Sequence, residues 1–481
     1  MDKIIKMKNN KIMEVLYMAV IGILLSLGLL MFMAYRGFSV IVFAPIFAIA
    51  AAIFSGMAIM PTYTEIFLPN LGNYVKVYFP FFLLGAVFGK VMEQSGAAKS
   101  IAKFIVEKLG KKRAMLSVIL AAAILTYGGV SLFVVAFAVY PFAASIFKEA
   151  DIPKRLVPAT IAVGAFTFTM DALPGTPQIQ NSIPMKFFNT DLYAAPVFGT
   201  LGAIIVLVCG VSYLEWRKRE AQANGEGYGE NHKQEPVLVE DENLPNPFLS
   251  ALPLASVLGL TLILQKLVFP KWDIVSWVTK APYNIPEASV VGSMNNWALM
   301  IALVCGIILA VSINPKRMKG NLATAINAGA IGSLLAVMNT ASEVGFGNVI
   351  KTLPGFQSIA HALTNINSNG SPLLSEAVTV NTLSGVTGSA SGGMSIALDT
   401  FGKQYLEWAN NAGVDPQLLH RVAAMASGGM DTLPHNGAVI TLLGIAGLTH
   451  KQSYKDIFAI TCIKTGTVFL LIILQGILHF V

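Results

Sequence analysis

Two aspartates set in apolar sequence are the first residues here able to do chemistry. Asp171 stands in Met170-Asp171-Ala172-Leu173-Pro174 and Asp431 in Met430-Asp431-Thr432-Leu433-Pro434, an offset of 260 residues. His435 follows the second, and a carboxyl near an imidazole can exchange protons close to neutral pH. Glu343 ends an apolar span, while Asp399 and Lys464 interrupt others. Charges at membrane depth are costly and usually face a cavity or a partner, which makes Asp171, Asp431, His435 and Glu343 candidate proton carriers. Each has a structural alternative. The aspartates could cap half-helices, Glu343 and Asp399 could be solvated span ends, and Lys464 reads as a side chain snorkelling to the interface.

The elements that must position these groups are interrupted helices. Asp171-Ala-Leu-Pro-Gly-Thr-Pro177 and Asp431-Thr-Leu-Pro-His-Asn-Gly437 break apolar runs at corresponding places. A broken helix at membrane depth is tolerated only against protein or a wet cavity, and paired breaks are the expected core of a transporter. Glycine junctions supply a second pair of polar tips. Gly128-Gly129-Val130-Ser131 matches Gly392-Gly393-Met394-Ser395 at an offset of 264. Exposed amides at helix starts attract anions. Gly128, Gly129, Ser131, Ser391, Gly392, Gly393 and Ser395, with Thr176, Gln178 and Asn436 at the breaks, are therefore the candidate binding residues for a carboxylate. Close packing through small residues is the competing account of the glycines.

Composition sets the class. The 481 residues are 54% hydrophobic and 12% charged, too apolar for a soluble fold and diagnostic of an integral membrane protein. The net charge of +7 comes from Lys and Arg at the ends of apolar runs, a topology signal with no nucleic-acid footprint. Cys209, Cys305 and Cys462 are isolated in apolar stretches and read as small buried hydrophobes. The apolar run from Val15 to Tyr35 is long enough to span, so it is expected to stay in the mature protein. Between Glu215 and Glu242 lie 12 of the 59 charged residues, marking a cytoplasmic linker (215–247) between membrane repeats 1–214 and 248–481. In each half, long spans are followed by a short amphipathic segment (99–110; 348–363), two apolar arms joined through glycine (114–147; 373–410), a broken helix and a final span. Five crossings per half would invert the second relative to the first. Placing Lys108, Lys111 to Arg113, Arg217 to Arg219, Lys316, Arg317 and Lys451 on one face makes that face cytoplasmic; the N-terminal Lys3, Lys6, Lys8 and Lys11 are exceptions. No Walker loop, Gly-x-Ser-x-Gly elbow or His-Glu-x-x-His helix is present, and the histidines 361, 420, 450 and 479 look scattered and unpaired.

The run Leu84-Gly-Ala-Val-Phe-Gly-Lys-Val-Met-Glu-Gln-Ser-Gly-Ala-Ala-Lys-Ser-Ile-Ala102, followed by the Gly128 arm, resembles the gluconate:proton symporter (gluconate permease) family of the ion transporter superfamily. The resemblance implies an inner-membrane symporter for small hydroxy-acid anions, with re-entrant hairpins, a homodimer and a transport domain sliding against a scaffold. Where sugar-acid permeases tend to carry a Pro-Pro-His-Pro-Gly-Pro turn, this chain has the Asp171 to Pro177 sequence, which lacks a histidine. The expectation is thus an all-α polytopic membrane protein of two inverted repeats and about 10–12 spanning segments. It would couple uptake of a hydroxycarboxylate of the 3-hydroxybutyrate or gluconate type to protons, with no cofactor, and with sodium open as coupling ion. A sodium-coupled citrate-type transporter and a cation/proton antiporter are the alternatives.

Overall fold

The computed structural model describes residues 18–30, 32–33, 36, 38–130, 132–230, 244–280, 282, 287–356, 370–434 and 436–481. Among them every regular element is helical. The first half comprises α1 (Met18–Leu30), α2 (Val40–Phe54), α3 (Ile59–Gln94), the amphipathic α4 (Ala97–Leu109), the hairpin arms α5 (Ala114–Tyr127) and α6 (Leu132–Glu149), α7 (Val157–Ala165), α8 (Ile179–Phe188) and α9 (Pro196–Ala223). The second comprises α10 (Pro247–Lys271), α11 (Glu287–Ile313), α12 (Pro315–Thr352), the hairpin arms α13 (Leu373–Thr387) and α14 (Ala390–Ala412), α15 (Pro416–Gly429), α16 (Gly437–Ala446) and α17 (His450–Leu478).

Six of the described helices are long and apolar enough to cross a bilayer: α3, α9, α10, the Asn296–Ile313 part of α11, α12 and α17. Their outward faces carry Ile204, Val208, Ile308, Leu335, Ile473 and Ile477, all exposed, as lipid-facing helices require. Local chemistry sets the ends. The Asn246 carboxamide accepts from the amides of Phe248 and Leu249 to start α10, and a Thr449–Gln452 capping box starts α17.

The order of elements recurs. Arm α5 packs on α7 as α13 packs on α15; α6 touches α16, and α8 touches α14, so each hairpin's second arm rests on the other half's short helix. The register of this repeat corrects the motif alignment. Arm α5 ends at Tyr127–Gly128 and α13 at Thr387–Gly388, the same 260-residue offset that relates Asp171 to Asp431. Gly392 and Gly393 lie instead inside the first turns of α14. The Gly-Gly-x-Ser match at 264 is therefore a sequence coincidence between a turn and a helix start.

Other expectations shift as well. Helix α9 runs to Ala223, and the next residues dock on the protein: the Tyr228 amide donates to Asp151 Oδ1 at 2.8 Å, and Glu226 pairs with Arg155. The start of the polar segment is thus structured, because its charges find partners; residues 231–243 lie outside the described residues. The segment expected at 348–363 begins as the end of α12, which continues to Thr352, and 357–363 lie outside the described residues, as do the four N-terminal lysines. Cys209 and Cys462 are exposed and Cys305 partly so: they sit on lipid-side faces, where a thiol is as acceptable as an alkyl group.

Candidate functional site

The two breaks meet. Pro174, Pro177 and Gly175 (φ +83°) turn the chain between α7 and α8, and residues 430–434 lead from α15 toward α16. Lys464, on α17, brings its ammonium 3.0 Å from Asp431 Oδ1 and 3.8 Å from Asp171 Oδ2, and also donates to the Phe166 carbonyl. All three side chains are buried, Lys464 at 3% exposure. Snorkelling is thereby overturned: two carboxylates hold the ammonium inside, where the interface would be the cheaper place for it alone. Glycine makes the space. A methyl at Gly428 would overlap Asp171 Oδ2, and one at Gly429 would overlap Asn381 Oδ1 and sit 2.9 Å from Thr465 Oγ1. None of these three oxygens has a hydrogen-bond partner, and of them Asp171 Oδ2 faces the Lys464 ammonium.

Arg421 and His420, on α15, pin the first break to the second half. Arg421 is fully buried and donates to the carbonyls of Ala194 (2.8 and 3.1 Å), Leu192 (3.2 Å) and Asp171 (3.2 Å) and to Asn181 Oδ1 (2.9 Å). His420 bonds Thr190 at 2.6 Å and Asn181 at 3.0 Å. It is not the unpaired histidine the sequence suggested; its partners, more than 200 residues away, are brought in by the fold. The guanidinium satisfies carbonyls that the broken helix leaves free, as a bilayer interior requires.

A second locus lies at the start of α14. Ser389 caps it by accepting from the Gly392 amide at 3.1 Å, and Ser391 Oγ is 3.4 Å from Thr340 Oγ1. Glu343, on α12, is 4% exposed and its Oε2 has no hydrogen-bond partner. A cavity of about 190 Å³ opens beside this locus, lined among others by Asn70 and Tyr74 of α3, Lys186 of α8, Asn348 of α12 and Ser395 and Asp399 of α14. The lining mixes carboxamides, hydroxyls, one cation and one carboxylate.

The sequence profile of the GntP family permeases matches residues 14–477. The chain belongs to the GntP permease family. It is 51% identical over 470 residues to an uncharacterised transporter, YxjC, of Bacillus subtilis (strain 168), covering 95% of this chain and 98% of that one. It is also 27% identical over 219 residues to the high-affinity gluconate transporter of Escherichia coli (strain K12), covering 44% and 46% of the two chains. Among solved structures, the YdaH transporter of Alcanivorax borkumensis superposes with a TM-score of 0.54 at 15% identity, over 85% of this chain and 86% of that one. MtrF of Neisseria gonorrhoeae does so at 0.51 and 13%, over 84% and 82%. These likenesses carry the fold. Family and composition together make this GntP permease a multi-pass bacterial membrane transporter rather than an enzyme.

Of the residues singled out from sequence, the permease brings Asp171 and Asp431 together; His435 and Ser131 lie outside the described residues. Glu343, Ser391, Gly392 and Ser395 gather around the start of α14, and Ser395 lines the cavity. Several others are used structurally. Thr176 is fully buried and donates to the Thr169 carbonyl at 2.7 Å, and Gln178 Nε2 donates to the Thr126 carbonyl at 2.8 Å. Asn436 caps α16 and donates to the Gly388 carbonyl at 2.7 Å. Gly128 and Gly129 (φ +95°) pack against Leu254 and Pro177, and Gly393 against the backbone of Ser384. Sequence reasoning passed over Arg421, Lys186 and the asparagines 70, 73 and 348. The asparagines carry a faint signal, since they are uncharged amides inside otherwise apolar or small-residue spans.

Proposed function

We propose that this permease is a secondary symporter that takes up a small hydroxycarboxylate anion, of the 3-hydroxybutyrate or gluconate type, together with protons. The carrying observation is the Asp171–Lys464–Asp431 contact beside Arg421. Two carboxylates against two cations balance at this crossing. A proton taken up there leaves one positive charge, which a monocarboxylate anion cancels, so moving both together avoids carrying net charge through the bilayer. The ammonium also fills the place between two aspartates that a sodium ion would need, which favours protons.

The cavity suits the anion. Lys186 is the one cation among its described lining residues and already acts on Asp399 there, which leaves no charge to match three carboxylates, and the amides of Asn70, Asn73 and Asn348 suit hydroxyls. The basic residues Lys316 and Arg317 at the start of α12 favour a cytoplasmic position for that end, and the cavity lies near Asn348 toward the other end of that helix, which supports the uptake reading. The repeated order of elements supports inverted halves, and the E. coli relative is named for gluconate.

Uptake of labelled gluconate and 3-hydroxybutyrate into proteoliposomes tests the reading. An inward proton gradient should drive accumulation, and an equal sodium gradient at constant pH should not. Sodium-driven accumulation rejects proton coupling, and absence of flux for both acids rejects the substrate class.

A further inference from the structure

The start of α14 is occupied by a group of the protein's own, an inference that rests on the symport reading. Glu343 Oε2 lies where the Cβ of any residue other than glycine at position 392 would stand. Only glycine at 392 lets this carboxylate press against the first turn of a 23-residue helix, whose amino end carries positive charge from its unpaired amides. Ser389 already takes the Gly392 amide, and Glu343 Oε2 has no hydrogen-bond partner. Apart from the Ser389 hydroxyl beside it, the carboxylate is held by the field of the helix end, and can be displaced. Val344 and Ser395, the neighbours of this contact on α12 and α14, face the cavity.

The surrounding charges leave Glu343 without a fixed counterion among the described residues. Tyr74 and Tyr78 approach from α3 and Asp399 from α14. Lys351, on α12 itself, donates to the Asp399 carbonyl at 2.8 Å, and Lys186, from α8, acts on Asp399 rather than on Glu343. Helix α2 contributes no titratable side chain, and the 62–67 stretch of α3 contributes Tyr63 and an exposed Glu65.

We propose that the Glu343 carboxylate stands in for the transported anion: ionised, it occupies the amino end of α14; protonated, it yields that place to the carboxylate of the incoming hydroxy acid. One carboxylate replaces another at the same helix end, and the proton stays on Glu343 while the acid is bound. The Glu343 proton and the anion are then linked by competition for one position, in addition to the proton taken up at the Asp171–Asp431 crossing.

The test uses the full chain in lipid nanodiscs, with gluconate and 3-hydroxybutyrate as probes and affinity measured by calorimetry from about pH 5.5 to about pH 8, where both acids are ionised. Wild-type affinity should fall as pH rises, by up to about tenfold per unit for this one proton. Glu343→Gln should remove that proton's share of the slope. Gly392→Ala, which expels the carboxylate by volume alone, should flatten it too and carries the test if Glu343→Gln does not fold. An undiminished slope in these variants, or no slope in a wild type that transports, overturns the competition while leaving symport standing. Failure of the wild type to bind or carry either acid sinks the symport reading and this inference with it.

Discussion

Lys464 stabilises a pair of carboxylates that a membrane interior would not otherwise hold. Lys464→Met leaves Asp171 and Asp431 facing each other unpaired, and the cost of breaking a buried pair, about 3–5 kcal/mol, should appear as a large drop in the unfolding temperature in detergent. Adding Asp431→Leu to Lys464→Met should recover part of that loss, a coupling that a double-mutant cycle reads directly; additive losses would mean that the two side chains do not interact. Arg421 is a different case, since its partners are mainly carbonyls. Arg421→Lys keeps the charge but cannot reach several acceptors at once. It should therefore lower the unfolding temperature, and an unchanged value would show that the charge alone suffices.

At the scale of elements, the two hairpins and two half-helices depend on contacts closer than side chains permit. The arms α13 and α14 meet at Gly393, where a methyl would overlap the Ser384 backbone. Gly393→Ala should part the arms, cost about 3 kcal/mol or more because backbone cannot yield as a side chain can, and abolish uptake. Gly332, on the exposed side of α12, has open space around it. Gly332→Ala should leave uptake intact and hold or raise the unfolding temperature, since alanine is the better helix former by up to about 1 kcal/mol. Equal losses in the two variants would refute the packing argument.

Across the whole molecule, a polar clasp ties the first half to α17. Asp456, 1% exposed, accepts from Arg217 Nε at 2.6 Å, Arg155 at 2.9 Å and Tyr213 at 2.8 Å. Asp456→Asn should weaken the hold on Arg217, which keeps Glu220 as a partner, and lower stability by about 1–3 kcal/mol, read as earlier unfolding of both halves together. Arg155 also grips Glu226, whose carboxyl is held below its ordinary range by that hydrogen bond. A depressed carboxyl stabilises the fold above its unfolded value, and the contribution is lost as pH falls through the folded one. With Glu226 42% exposed, solvent screening limits this to under about 1 kcal/mol. Hydrogen exchange around Glu226 and Tyr228 should therefore quicken only modestly on acidification below about pH 4, and no change would show that Arg155 does not hold the segment.

Membrane class, the places of the hairpins and the pairing of Asp171 with Asp431 were legible in the sequence, because a bilayer forces long apolar runs and admits breaks only where they serve a site. Alternation of apolar runs with Gly, Pro and charge is a local signal, and local signals survive in one dimension. Which atoms meet is not local. Lys464 looked like a snorkelling side chain because its two carboxylate partners, one of them from the other half of the chain, arrive only on folding, and Arg421 looked unremarkable because its acceptors are carbonyls, which every residue has. The same blindness hid the structural bonds of Thr176, Gln178 and Asn436, each of which donates to a backbone carbonyl of a broken helix or hairpin tip. Tertiary structure alone decided these, since a buried polar group's role depends on whether a neighbour already satisfies it.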